Sequence, residues 1–208
     1  DLVKTEWGRG SIIVAMINLL KAAIKDNDNK MFVFLSESCL PIKSLSILHQ
    51  QIINSKKSYL KSMPVKGNTL KRFTFLKQPE NLGITQKNFK KAETWCILTR
   101  HHVETIIKYS EEFIKSFYDI YVPEEHLFIT LLNLKHPNEI IDKTTTIVYW
   151  DESGPQYIHP KTFGPILNQK YKKIINNLLE QNKNAFFMRK WKYDKKNNVY
   201  SFISQLIK

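Results

Sequence analysis

The segment that most constrains this chain is Met31-Phe32-Val33-Phe34-Leu35. It is an unbroken apolar run between the turn cluster Asp26-Asn27-Asp28-Asn29 and the polar Ser36-Glu37-Ser38. A run of that length bounded by turn signals reads as a strand covered on both faces. Helical patterns surround it. Ser11 can cap a helix over residues 12–24, with Ile12, Ala15, Met16, Leu19, Leu20 and Ala23 on one face. Further helices are expected over 45–53, 100–117 (burying Val103, Ile106, Ile107 and Phe113), 124–134, 166–181 and 200–207. Apolar runs recur at 95–98, 145–150 and 185–188. Residues 54–93 read as irregular and lysine-rich, with 72–76 the best strand candidate. Helices alternating with buried strands predict an α/β domain with a mostly parallel sheet flanked by helices. In such sheets ligands gather beyond the carboxyl ends of the strands, where Ser36-Glu37-Ser38 and Arg189-Lys190 fall.

With 208 residues, 42% hydrophobic and 12% aromatic, the chain suits one folded domain, 1–208. No run reaches the roughly 20 apolar residues a membrane helix needs; residues 12–24 are interrupted by Asn18 and Lys21. The chain begins at Asp1, so a membrane anchor is expected only upstream of it, and the sequence assigns no compartment. Lys and Arg total 32 against 19 Asp and Glu, a net charge of +13. That excess invites a polyanion: nucleic acid, an acidic membrane or a phosphorylated ligand. It is mostly lysine spread along the chain, densest over 183–196, with no zinc-finger spacing, RNA-recognition signature or heptad array. A Lys/Asn/Ile compositional bias explains it equally, and no specific nucleic-acid partner is expected. Cys39 and Cys96 allow one disulfide but make neither a disulfide scaffold nor a zinc site. Cys39 reads as a small apolar filler beside a strand.

Glu125 is the leading catalytic candidate, in Tyr121-Val122-Pro123-Glu124-Glu125-His126-Leu127-Phe128. Alone, this segment also reads as a helix start, with proline pre-setting the first turn and acids complementing the dipole. His126 reads as a satisfied helix histidine. Asp26-Asn27-Asp28, the chain's Asp-x-Asp, precedes the buried run and reads as a surface turn. Ser36-Glu37-Ser38-Cys39-Leu40-Pro41 can be a plain polar turn, Arg189-Lys190 a solvated basic run, and Trp150 a core aromatic.

Taken together and in order, five segments resemble the core-2/I-branching glycosyltransferases, a family related to the xylosyltransferases. They are Glu6-Trp7-Gly8-Arg9-Gly10-Ser11, Phe32-Val33-Phe34-Leu35-Ser36-Glu37-Ser38-Cys39-Leu40-Pro41, Lys91-Ala92-Glu93-Thr94-Trp95, the Glu125 segment, and Ala185-Phe186-Phe187-Met188-Arg189-Lys190-Trp191. Cys39 looks like the plant-type branch, since animal members tend to carry aspartate there, and Glu93-Thr94 replaces the usual Gly-Ser. The resemblance runs to Trp191 and implies a GT-A-like fold. The segment that holds uridine, which precedes the Trp-Gly motif in the family, is not in this chain. The chain therefore reads as the C-terminal major part of a GT-A domain.

The resemblance also implies an activity: inverting, metal-independent transfer of a sugar, GlcNAc foremost, from a UDP-sugar to a glycan or glycoprotein hydroxyl, with no cofactor. Glu125 would be the general base, because an acceptor hydroxyl must lose its proton as it attacks. Arg189 and Lys190, with Lys161 and His159 as looser equivalents of a second basic position, would hold the diphosphate in place of a metal. Trp150, Ser36, Glu37 and Ser38 would line the acceptor side. Two rivals stand beside this reading: a basic nucleic-acid-binding protein, and a degenerate transferase kept as a glycan-binding module.

Overall fold

The computed structural model describes residues 2–151, 160–164, 167–192 and 204. In chain order these form α1 (Ser11–Ala23), β1 (Met31–Val33), β2 (Leu40–Pro41), α2 (Leu45–Ser55), β3 (Ser58–Tyr59), β4 (Ser62–Met63) and α3 (Asn68–Lys71). Then come β5 (Lys91–Ala92), β6 (Ile97–Thr99), α4 (Arg100–Lys108), α5 (Ser110–Phe117), α6 (Leu127–Lys135), β7 (Ile140–Ile141), β8 (Thr146–Val148), α7 (Gln169–Gln181) and β9 (Phe187–Arg189). Short 3-10 turns stand at Arg72–Phe75, Pro79–Leu82 and Pro123–Glu125. The α/β class is as expected. Pairing is mixed: β3–β7 and β8–β9 run parallel, while β1–β6, β3–β6, β2–β9 and β4–β5 run antiparallel. Among the described residues, no helix is long and apolar enough to cross a membrane.

The chain forms two compact units. The first takes in the described residues of Asp1–Val33 and Lys56–Asp142; the second, those of Phe34–Ser55 and Lys143–Lys208. In the first, the sheet order is β1-β6-β3-β7, with β4–β5 as a separate ribbon. Its centre is α6, whose residues from Leu127 through Leu132 are all buried and so meet packing on every side. In the second, the order is β2-β9-β8, over a core of Ile42, Ile147, Phe163, Leu167, Ile175, Ala185, Met188 and Trp191.

Several local expectations are corrected. The apolar run at 31 is strand only to Val33, and β1 lies at a sheet edge with Val33 exposed, so it is not covered on both faces. Ser11 does not cap α1. Gly10 holds that position, and the Ser11 hydroxyl accepts the Glu6 amide instead. The buried face of α1 is Ile13, Met16, Ile17 and Leu20, one residue away from the expected stripe, and Leu19 is exposed. The single helix expected over 100–117 breaks at Tyr109, where the Ser110 hydroxyl donates to the Ile107 carbonyl. Residues 72–75 are a 3-10 turn and not a strand. A strand would send Arg72 and Phe73 to opposite faces. Here both reach one neighbourhood: Phe73 packs edge-on to Phe89, and Arg72 bonds His126, which stacks on Phe89. The expected terminal helix over 200–207 lies, apart from Ser204, outside the described residues.

Candidate active site

Glu125 ends the 3-10 turn Pro123–Glu125 that leads into α6, and so lies just ahead of that helix instead of in its first turn. The turn is entered through Val122 at φ 49°, a left-handed conformation that a β-branched residue adopts only at a cost of about 1–3 kcal/mol. Burial holds Val122 there, together with its amide, which donates to the Gly8 carbonyl at 3.0 Å. This explains the Trp-Gly motif. Gly8 has φ +72°, and a β-carbon on it would meet Tyr121 at 2.8 Å; Trp7 packs edge-on to Tyr121 at 5.5 Å. The Arg72 guanidinium then lies over the Tyr121 ring at 5.3 Å.

From that platform Arg72 Nη1 donates to His126 Nε2 at 3.1 Å and to Glu125 Oε2 at 3.5 Å. Lys91 Nζ approaches the same Glu125 oxygen at 3.2 Å, with the side chains 15% and 25% exposed. Two cations from separate segments thus aim one carboxylate. His126 is fully buried, stacked on Phe89 at 4.5 Å, and its Nδ1–H donates to the Lys90 carbonyl at 2.7 Å. Burial first, then the charges of Arg72 and Lys91, bring its pKa down to about 4, against the opposing bond to Lys90. It stands as the satisfied neutral histidine expected from the sequence. Glu124 is different: its Oε2 is buried without a hydrogen-bond partner, and burial pushes its pKa up to about 7. A cavity of about 420 Å³ adjoins this centre; Lys87, Phe89, Lys90, Lys91, Ser62 and Asn133 line it.

In the second unit, the turn after residue 35 closes on itself. Ser36 Oγ lies 2.9 Å from Ser38 Oγ and 3.3 Å from Cys39 Sγ, and the Ser36 amide donates to that sulfur at 3.4 Å. Cys39 is therefore a polar turn partner, not the apolar filler expected. The turn is tied to the strand end: the Trp191 amide donates to the Ser38 carbonyl at 3.0 Å, and β2 pairs with β9. Arg189 sits half-buried here, bonded to the Cys39 thiol and within electrostatic reach of Glu37. Burial lowers its pKa, and those two neighbours oppose the shift. So Ser36, Glu37, Ser38, Arg189 and Lys190 are brought together at one strand end.

Lys161 pairs with Asp151 at 3.9 Å, and its amide donates to the Tyr149 carbonyl at 2.9 Å, next to the exposed Trp150. Trp150 is thus not a core aromatic. His159 lies outside the described residues. The Asp26-Asn27-Asp28 segment is an exposed turn in which Asp26 Oδ1 accepts the Asp28 amide at 2.9 Å.

Sequence reasoning missed Arg72 and Lys91, both in the stretch read as irregular. Their signal is long-range pairing with Glu125, 53 positions from Arg72, which no local pattern carries.

Fold and site together define a mixed α/β protein with an acid–cation centre at a helix entrance and a basic strand end. The chain belongs to the Core-2/I-Branching enzyme family, whose profile matches residues 1–188. It is also similar to Glycosyltransferase BC10 of Oryza sativa subsp. japonica, 32% identical over 115 residues, or 55% of this chain. The match spans 27% of that relative's length.

Proposed function

We propose that this chain carries the catalytic base and a basic donor-binding strand end of an inverting, metal-independent glycosyltransferase. It moves a sugar, GlcNAc foremost, from a UDP-sugar to a glycan hydroxyl. The observation that supports this best is Glu125, held by Arg72 and Lys91, the second of which also lines a cavity of about 420 Å³, a size within the usual range for small-molecule sites.

In the proposed step the acceptor oxygen attacks the anomeric carbon and passes its proton to Glu125. The bond from that carbon to the phosphate oxygen breaks, and its electron pair leaves with UDP. One displacement from the opposite face inverts the centre, so a single carboxylate base suffices. The charge that develops on the diphosphate is met by Arg189 and Lys190.

The test is transfer from UDP-GlcNAc to a panel of glycan acceptors with excess chelator present, with the product anomer read by NMR. The expected product has inverted configuration and forms at an unchanged rate. Lys190→Ala should weaken UDP binding by about 1.5–3 kcal/mol. Activity that vanishes with chelator and returns with manganese, or a product of retained configuration, overturns the reading.

A further inference from the structure

At the far end of α6 from Glu125, three imidazoles and a carboxylate converge. His101 and His102 open α4, while His136 and Glu139 follow α6. One ligand atom each from His101, His136 and Glu139 lie within 4.8 Å of one another. The His101 ring stands edge-on to His136 at 4.5 Å, and the His102 ring lies 4.9 Å from His136.

The hydrogen bonds set which nitrogens are open. Thr105 Oγ1 lies 2.8 Å from His136 Nε2 and 3.2 Å from the His101 carbonyl, so it occupies the Nε2 side of the His136 ring. The other ring nitrogen, His136 Nδ1, faces Glu139 Oε1 at 3.7 Å. A ring nitrogen and a carboxylate oxygen at that spacing are a donor pair that a shared cation can bridge.

The second oxygen of Glu139 is aimed from the other side. Ser58 Oγ accepts the Thr99 amide and lies 2.6 Å from His102 Nδ1, which fixes that side of the His102 ring. His102 Nε2 is thereby turned toward Glu139 Oε2, 3.4 Å away. This nitrogen is buried without a hydrogen-bond partner, in a residue only 1% exposed. The arrangement is that of an inner set of ligands backed by a buried group that orients the carboxylate.

We propose that His101, His136 and Glu139 form a binding site for a borderline divalent cation such as Zn²⁺, with His102 as the residue that positions Glu139. Nitrogen donors with one carboxylate suit zinc and disfavour magnesium, which takes oxygen ligands. The ion would fasten the start of α4 to the segment after α6. The α6 helix spans nine residues, so about 13 Å of helix separates this site from the Glu125 turn. The ion therefore supplies no charge at the proposed catalytic base, and the two assignments fail independently.

The experiment is calorimetric titration of the whole chain with Zn²⁺ alone, in parallel with thermal melts. The expected result is saturable uptake of Zn²⁺ and a raised Tm, with no shift from Mg²⁺. His101→Ala and Glu139→Gln, both at exposed positions, should each weaken Zn²⁺ binding by about tenfold or more, while His49→Ala on α2 should leave it as it was. His102→Gln should weaken binding without abolishing it. Absence of saturable uptake, an affinity unchanged in either ligand variant, or an equal response to Mg²⁺ overturns the proposal.

Discussion

At its two ends α6 sets histidine beside glutamate, in different company. At the entrance, the Glu125 carboxylate faces the fixed cations Arg72 and Lys91, and His126 is sealed as a neutral ring. At the exit, Glu139 faces imidazoles, which carry no fixed charge at neutral pH. The lesson is that residue type does not set the chemistry. A carboxylate whose countercharge is built into the chain is aimed by it, whereas one facing ring nitrogens lies among donor atoms that suit a shared cation.

The sharpest way to break this comparison is Glu125→Gln. It keeps the shape and the contact distance but cannot accept the proton, so transfer should fall on the order of 100-fold or more with UDP affinity little changed. Near-parental turnover in a single-turnover assay would remove Glu125 from the role of base. Next in size is Arg72→Leu. It strips both Glu125 and His126 of a charge-assisted bond and empties the face of Tyr121, at a cost of about 2 kcal/mol in denaturant unfolding. Stability equal to the parent would mean that Lys91 alone aims the carboxylate.

The smallest effect concerns Glu124, and its sign depends on pH. The pKa is raised on folding from 4.5 to about 7, so the folded state binds the extra proton between those values. Stability from this group is therefore full below about pH 4.5, declines as pH rises through 7, and stays reduced above that. Glu124→Gln should be more stable than the parent by about 1–2 kcal/mol at pH 8, less than the whole shift would give because the amide keeps a buried polar end. The gain should vanish by pH 4.5. His126 acts in the opposite direction. Its pKa falls from 6.5 to about 4, so its contribution is present above 6.5 and lost as pH drops through 4. It is common to parent and variant and cancels in the difference. Equal stability at pH 8 would show that the Glu124 carboxyl is not buried in the charged form.

How much of this was legible in the sequence follows from how local each signal is. The 45–55 helix, the strand at 187 and the strand-end cluster of Ser36, Glu37, Ser38 and Arg189 were readable, because each sits at a boundary between an apolar run and a polar turn. The face of α1 was misread by one position. A helix with Ile12, Ile13, Met16, Ile17, Leu19 and Leu20 offers two adjacent stripes, and only packing chooses between them. The 72–75 turn was misread as a strand because Phe73 and Phe75 alternate as strand residues do, while partners far along the chain, Phe89 and Glu125, decide the backbone. The His101, His136 and Glu139 cluster was invisible for the same reason, its members being joined by folding and not by spacing.

The burial of α6 has a consequence for amide hydrogen exchange. Each backbone N–H from Thr130 to Leu132 sits in the part of the helix that is packed on all sides, and the neighbouring Lys90 backbone is clamped by the Thr130 hydroxyl on one side and His126 on the other. Such amides exchange only when the whole unit opens, whereas an edge strand such as β1 frays locally. Deuterium should therefore enter α6 last in the first unit. The Glu125 turn is bonded directly onto the most protected element, so its geometry persists through every partial opening that leaves α6 intact.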